Sequence, residues 1–331
     1  MSTVLTDALA FSGPLSDALR AARDDAVLCD LSPTGVLRIA GEDAAAFLHA
    51  QLTSDVLALA VGSTQHTAWC SAKGRVLANG VLWRRGDQEF FWLLPAALTA
   101  TVQKRLSMFK LRARVGVDEA TRACVRFGVG GPRAGVLIGD AFGPAGSVES
   151  RARDGAYALA LPGERYLLLL EPDQNAAAWL AALAANARTG PFAAWEWLSI
   201  QAGVASITPA TQDEFVPQML NWELQGGVSF SKGCYPGQEI VARTQYRGKL
   251  KERLYRVHIA STAAPAAGDP LYSPVFGDQA CGTLVNVAPA PEGGHDALAV
   301  IQTLAAADVH WRASDGPALA IQPLPYAVPG A

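Results

Sequence analysis

The run Phe230-Ser231-Lys232-Gly233-Cys234-Tyr235-Pro236-Gly237-Gln238-Glu239 sets a thiol between a lysine and two glycines. Proline suits the first position of a helix, because the N–H it lacks would have no partner there, so the spacing predicts a helix from 236 to about 246. Cys234 then stands at the positive end of that helix, with the charge of Lys232 two residues away, and both effects favour thiolate over thiol. A free cysteine titrates near ~8.5, and comparable settings bring this to roughly 3.5–7.5. Cys234 is thus the candidate reactive sulfur, and Lys232 and Arg243 are candidate anion contacts beside it. The competing reading is the ordinary fate of a free cysteine, a small buried hydrophobe. Gly233 and Gly237 serve backbone geometry.

Charge is unevenly spread. Residues 243–256 hold Arg243, Arg247, Lys249, Lys251, Arg253 and Arg256 against Glu252, and residues 104–126 hold seven basic side chains against Asp118 and Glu119, in a chain whose net charge is -3. Two basic segments in an acidic protein are an expected site for a polyanion. Direct tRNA binding is the weakest of the functional readings, because few aromatics accompany either segment, whereas single-strand binders interleave them. The five cysteines are widely spaced and form no CxxC pair, which argues against a disulfide framework or zinc knuckle. The five histidines are far apart, and none is assigned to a metal. No stretch reaches the ~18 apolar residues of a membrane span, so a reducing cytoplasm is the expected compartment and no membrane contact is expected.

These residues need a scaffold. At 331 residues, half of them hydrophobic and 17% charged, the chain has the composition of a globular protein of two or three domains. Short strands are expected at 27–30 and 35–39, then a helix whose apolar positions include Phe47 and Ala50. A hairpin follows about Ala72-Lys73-Gly74 (67–71 with 76–85), then a strand at 89–94 and a helix over 96–110. The second quarter repeats the theme, with strands near 121–127, 157–161 and 166–170 before a helix over 174–187. Antiparallel strands interleaved with helices predict two α+β units, about 1–118 and 119–248, with interleaving of the two allowed. A helix over 192–203 carries Trp195 and Trp197, which cannot share one face. The loop 207–230 is too apolar (Phe215, Val216, Met219, Leu220, Trp222) to be disordered and reads as a pocket wall. Short strands at 281–287, 298–302 and 319–323, divided by Pro/Gly turns, predict a small β-barrel over 249–331.

Taken together, Leu31-Ser32, Gly41-Glu42-Asp43-Ala44, Thr53-Ser54-Asp55-Val56, Lys73-Gly74-Arg75, Phe215-Val216-Pro217-Gln218, Lys232-Gly233-Cys234-Tyr235-Pro236-Gly237-Gln238-Glu239, Val241-Ala242-Arg243, Tyr246-Arg247-Gly248-Lys249 and Pro323-Leu324-Pro325-Tyr326 resemble the folate-binding YgfZ family, which is related to the aminomethyltransferase T-protein of the glycine cleavage system. The octapeptide from Lys232 is the specific part, since T-proteins look similar at its lysine but do not keep the cysteine. The resemblance implies an α+β, T-protein-like arrangement of two α+β units around a central folate pocket, plus the C-terminal barrel.

The resemblance also implies roles. Folate, as tetrahydrofolate or a derivative, is the implied cofactor, with Trp195 against its rings, Gln201 at the pterin edge and Lys232 or Arg243 attracting its carboxylates. Asn79, Tyr235, Gln238 and Glu239 are further binding candidates. T-proteins carry a catalytic aspartate where this chain reads Ala78 and Asn79, so aminomethyl transfer is the less favoured activity. The family's second folate-contacting tryptophan falls on Thr34. The implied function is an accessory protein supporting assembly or repair of iron–sulfur enzymes, including tRNA methylthiolation, through transient contact of Cys234 with a persulfide or cluster. The alternative is a folate-dependent one-carbon transferase acting on another acceptor. Iron–sulfur enzymes or their assembly factors are the implied partners.

Overall fold

The computed structural model describes residues 13–143, 150–171, 176–246 and 250–329. Gln174 and Asn175 of the helix expected over 174–187, and Arg247, Gly248 and Lys249 of the matched basic run, lie outside the described residues.

Helix α1 (Leu15–Asp24) buries Ala18, Leu19 and Ala22, a spacing that puts three small or apolar side chains on one face. It delivers the chain into β1 (Val27–Asp30), after which come β2 (Thr34–Ala40) and helix α2 (Ala44–Gln51). Strands β3 (Thr64–Cys70), β4 (Val76–Gly86) and β5 (Glu89–Pro95) precede helix α3 (Ala96–Met108) and β6 (Gly116–Glu119). These form an antiparallel sheet of order β3-β4-β5-β2-β6. In β5 all five residues between Glu89 and Pro95 are buried, the pattern of a central strand covered on both faces.

The second sheet takes β7 (Val125–Gly130), β8 (Ser150–Arg153), β9 (Ala156–Leu161), β10 (Arg165–Leu170) and β11 (Arg188–Gly190), with α4 (Ala134–Phe142) and α5 (Ala176–Ala184) packed on it. Its order is β11-β1-β7-β10-β9-β8, so the early strand β1 pairs antiparallel with β7, Val27 opposite Gly130. Helix α6 (Phe192–Gln201) and a long connection lead to α7 (Gln238–Tyr246). The connection is held by backbone pairing at its middle, where the Asp213 N–H donates to the Val76 carbonyl (2.9 Å) and the Val76 N–H to the Phe215 carbonyl (2.8 Å).

The C-terminal strands β12 (Glu252–Ile259), β13 (Pro270–Tyr272), β14 (Gly282–Pro289), β15 (His295–Gln302), β16 (His310–Trp311) and β17 (Leu319–Gln322) form one antiparallel sheet, order β16-β13-β14-β15-β12-β17. A bridge between His310 and Ala318, with the Leu319 N–H donating to the Val309 carbonyl (2.8 Å), joins the two edges and closes the sheet on a core that includes Trp311 and Leu284. Strand β12 overlaps the basic segment 243–256, for which no strand is expected from the sequence. Among the described residues no helix is long and apolar enough to cross a membrane.

Candidate functional site

A cavity of about 380 Å³ opens where both sheets, α6, the long connection and the barrel meet. Strand β4 contributes Asn79, Gly80 and Val81, β5 contributes Leu93 and Leu94, and β10 contributes Arg165 and Leu167. Helix α6 adds Trp195, Glu196 and Ser199. The connection adds Val204 to Ser206, Thr208, Pro209 and Trp222, and Asn286 reaches in from the barrel. Thr34, on which the resemblance places a second tryptophan, is also in the wall. A mostly apolar chamber with a few polar groups has the character of a small-molecule site.

Trp195 is buried in this wall, and it fits because Gly128 of β7 lacks a side chain: a Cβ there would stand 2.3 Å from the indole. Trp197, on the opposite side of α6, turns to the barrel and donates Nε1–H to Asp296 Oδ2 (2.8 Å). Asn79 is buried, and its amide acts as a piece of backbone. Nδ2 donates to the Ala205 carbonyl and Oδ1 accepts from the Ile207 N–H, both at 2.8 Å. Asn286 does the same from the barrel side, accepting from the Ser206 N–H (2.8 Å) and donating to the Ser206 carbonyl (3.0 Å). The two amides hold residues 205–207 between the first sheet and the barrel, satisfying buried backbone groups that no strand reaches.

The cavity also holds ionisable groups that were not among the sequence-derived candidates. The Arg165 guanidinium is 3% exposed, lies 5.3 Å above the Trp195 ring, and is pushed down to about 10 by burial. Burial pushes the Glu196 carboxyl up to about 7. His66 stacks on Trp222 with ring centroids 4.9 Å apart; burial first and the Arg165 charge second push it down to about 4. A signal for Glu196 exists in the chain, since it is the one charged residue of Phe192–Gln201.

The cysteine motif lies elsewhere. Gly237 packs on the β3–β4 turn, where a Cβ would stand 2.4 Å from the Ser71 carbonyl oxygen; its φ of +78° is a second reason for glycine. The cavity wall starts at Asn79, on the order of 10 Å further along β4 than Val76. Helix α7 begins at Gln238, so Cys234 precedes the helix by a turn of chain and does not stand at its N-terminus. Pro236 occupies that turn. The Cys234 thiol is exposed and unpaired by any disulfide.

Lys232 corrects a second expectation. Its ammonium donates to the His49 carbonyl and to the Leu52 carbonyl (2.5 Å), capping the C-terminal end of α2, and rests 4.9 Å from the Tyr235 ring centre. Burial pushes it down to about 8. Aimed at these carbonyls, the Lys232 ammonium is not part of the cavity wall. Tyr235 is buried with its hydroxyl unpartnered, and burial, then the neighbouring Cys70, push its phenol up. Gln238 is half-buried, and Glu239 and Arg243 are exposed on α7; none of the motif residues is in the cavity wall. Gln201 is likewise occupied: it donates to Asp296 Oδ2 (3.0 Å) and accepts from Arg256 (2.5 Å), tying α6 to the barrel. Of the sequence-derived candidates, the cavity therefore gathers Trp195 and Asn79.

The basic segments are partly turned inward. Arg253 pairs with Glu223 (2.5 Å), Arg256 with Gln201, and Arg126 donates to the Thr121 and Cys124 carbonyls. The matched Thr53 is a staple, its hydroxyl donating to the Gly227 carbonyl (2.6 Å) and accepting from the Ala68 N–H (3.0 Å).

Comparison with known proteins gives consistent relatives. A family model described as GCVT N-terminal domain matches residues 10–149. The tRNA-modifying protein YgfZ of Edwardsiella ictaluri (strain 93-146) is 32% identical over 300 residues, covering 88% of this chain and 89% of that protein. The tRNA-modifying protein YgfZ of Yersinia pestis (strain Pestoides F) is 31% identical over 308 residues, covering 91% and 92%. The crystal structure of glycine cleavage system aminomethyltransferase T from Bartonella henselae matches with a TM-score of 0.76 over 95% of this chain and 89% of that one, at 17% identity. The α+β, T-protein-like fold with a C-terminal barrel, expected from the sequence, is the fold of this chain.

Proposed function

We propose, for a chain that belongs to the YgfZ family, a folate-binding accessory role in tRNA modification that supports assembly or repair of iron–sulfur enzymes through Cys234. The observation that carries this reading is the separation of two parts: an exposed thiol on a clamped loop, and an aromatic-walled chamber that the thiol does not line. The thiol is available to a macromolecular partner while the chamber is occupied.

The chamber suits folate. Its volume falls within the ~300–1,000 Å³ of small-molecule sites. A flat indole stands in its wall among Val81, Leu93, Leu94 and Leu161, and it holds a buried guanidinium with an unpartnered N–H. Trp195 and these aliphatic walls would hold the rings. A reduced folate supplies one-carbon chemistry when it carries such a unit; the chain's own part is to bind the rings, orient them and exclude water. T-protein-type aminomethyl transfer is the weaker reading, because Ala78 has no polar group and both ends of the Asn79 amide are bound to backbone.

One sulfur cannot hold an iron–sulfur cluster, which generally takes four protein ligands, so contact of Cys234 with a persulfide or cluster is shared with a partner. Cys234→Ala should leave folding and folate affinity unchanged while abolishing support of iron–sulfur enzymes, read as methylthiolated tRNA in cells lacking the native protein. Full support by the variant rejects the role of the thiol. Turnover of methylene-tetrahydrofolate by purified protein carrying Cys234→Ala would favour the transferase reading instead.

A further inference from the structure

Among the described residues, two ionisable side chains of the cavity wall have no counter-charge. Arg165 donates Nε–H to the Pro162 carbonyl (2.8 Å) and Nη1–H to Ser199 Oγ (2.7 Å), which fixes the guanidinium plane over Trp195. Its Nη2 is buried with no hydrogen-bond partner, and among the described residues no carboxylate lies within ion-pair distance. Among the described residues Glu196 is the one carboxylate in the wall; it is half-buried and forms no ion pair or hydrogen bond. Glu196 and Ser199 are three apart on α6 and share a face, and Ser199 holds the guanidinium, so both ionisable groups lie in the wall of the chamber without pairing.

Isolated ionised groups in an apolar enclosure are costly unless something pairs them. Burial has already shifted both toward their neutral forms. A ligand that gives N–H donors to the carboxylate and an acceptor oxygen to the guanidinium relieves both at once. Gln201, the position that the resemblance assigns to the pterin edge, is engaged with Asp296 and Arg256 and is absent from the wall.

We infer that Glu196 and Arg165 read the edge of the ring bound in this chamber, Glu196 accepting from adjacent N–H donors and Arg165 donating to an exocyclic oxygen. The inference rests on the folate reading and narrows it, since that edge is the 2-amino-4-oxo side of a pteridine. A 4-amino pteridine puts a donor where Arg165 needs an acceptor, and the unfavourable donor-to-donor encounter discriminates against it.

The test uses the full-length protein, intrinsic tryptophan fluorescence and calorimetry, with folic acid and its 4-amino analogue aminopterin as probes. The unmodified protein should prefer folic acid at least tenfold. Glu196→Gln should weaken folic acid about tenfold, the loss expected for one hydrogen bond to a charged group. Arg165→Met should weaken it similarly and erase the preference over aminopterin. Ser199→Ala, which frees the guanidinium without removing it, should reduce that preference and covers the case in which the arginine variant fails to fold. Folded variants that keep the unmodified affinity and preference overturn the assignment and leave the folate reading standing. Failure of the unmodified protein to bind either probe overturns both.

Discussion

Glu196→Gln is expected to stabilise this protein in a pH-dependent way that can be worked out beforehand. A glutamate in the unfolded chain ionises near its ordinary 4.5, whereas burial holds the folded Glu196 up to about 7. Between those values the folded protein keeps a proton that the unfolded chain has lost, so stability falls as pH rises and levels off above the folded value. At 1.36 kcal/mol per pH unit the full penalty is about 3 kcal/mol, reached near pH 7 and above. His66 opposes this in the unmodified protein: its folded value near 4 lies below the ordinary 6.5, so its contribution rises with pH across almost the same window. The unmodified protein can therefore show a nearly flat profile, and the quantity to measure is the difference between the two proteins. Glutamine keeps the shape of the side chain and removes the titration. Urea unfolding followed by tryptophan fluorescence, from pH 4.5 to 8.5, should give equal stability at the acid end and an advantage of about 3 kcal/mol for Glu196→Gln at pH 8. A difference that does not change with pH would refute the reasoning, because it would mean that Glu196 ionises alike in both states.

Other perturbations separate structural from functional residues. Lys232→Met should lower stability by about 1–3 kcal/mol and speed amide exchange in the last turn of α2, because the His49 and Leu52 carbonyls lose their donor; unchanged stability and exchange would refute the capping role. Gly128→Ala should cost about 1–3 kcal/mol and displace the Trp195 indole, visible as altered near-ultraviolet dichroism together with weakened folate binding; an unperturbed tryptophan signal would contradict the packing. Asn79→Asp should not create a transferase. It places a carboxylate against the Ala205 carbonyl, so the expected outcome is a loss of about 3 kcal/mol with no aminomethyl turnover, and measurable turnover would reverse that view.

Much of the scaffold was legible because local signals agreed with the packing. Val27–Asp30 is a strand as expected, and the turn Ala72-Lys73-Gly74 does join two paired strands. Strand β12 was hidden because Arg253, Arg256 and His258 look like a solvated basic run, whereas Arg253 and Arg256 point to partners brought from the long connection and α6. Helix α7 starts later than its proline suggested, since the close packing of Gly237 on Ser71 and Gly74 takes precedence over the local preference of Pro236. In the cavity, Trp195 is named through the family resemblance, since spacing alone says only that Trp195 and Trp197 face opposite sides of α6. Arg165 could not be named, because at the head of a strand an arginine reads as a surface residue, and its burial depends on Ser199 and Trp195 from a helix that follows later in the chain. Lys232 shows the reverse error: proximity in sequence to Cys234 suggested an electrostatic partnership, while the fold turns its long side chain toward α2.

The two anchors on either side of Cys234, Lys232 on α2 and Gly237 on the β3–β4 turn, leave a short span between them. A pedestal of that kind presents its sulfur in one place before any encounter. The entropy of fixing the loop is spent during folding, so on the proposed reading a docking macromolecule would meet the sulfur already held in place.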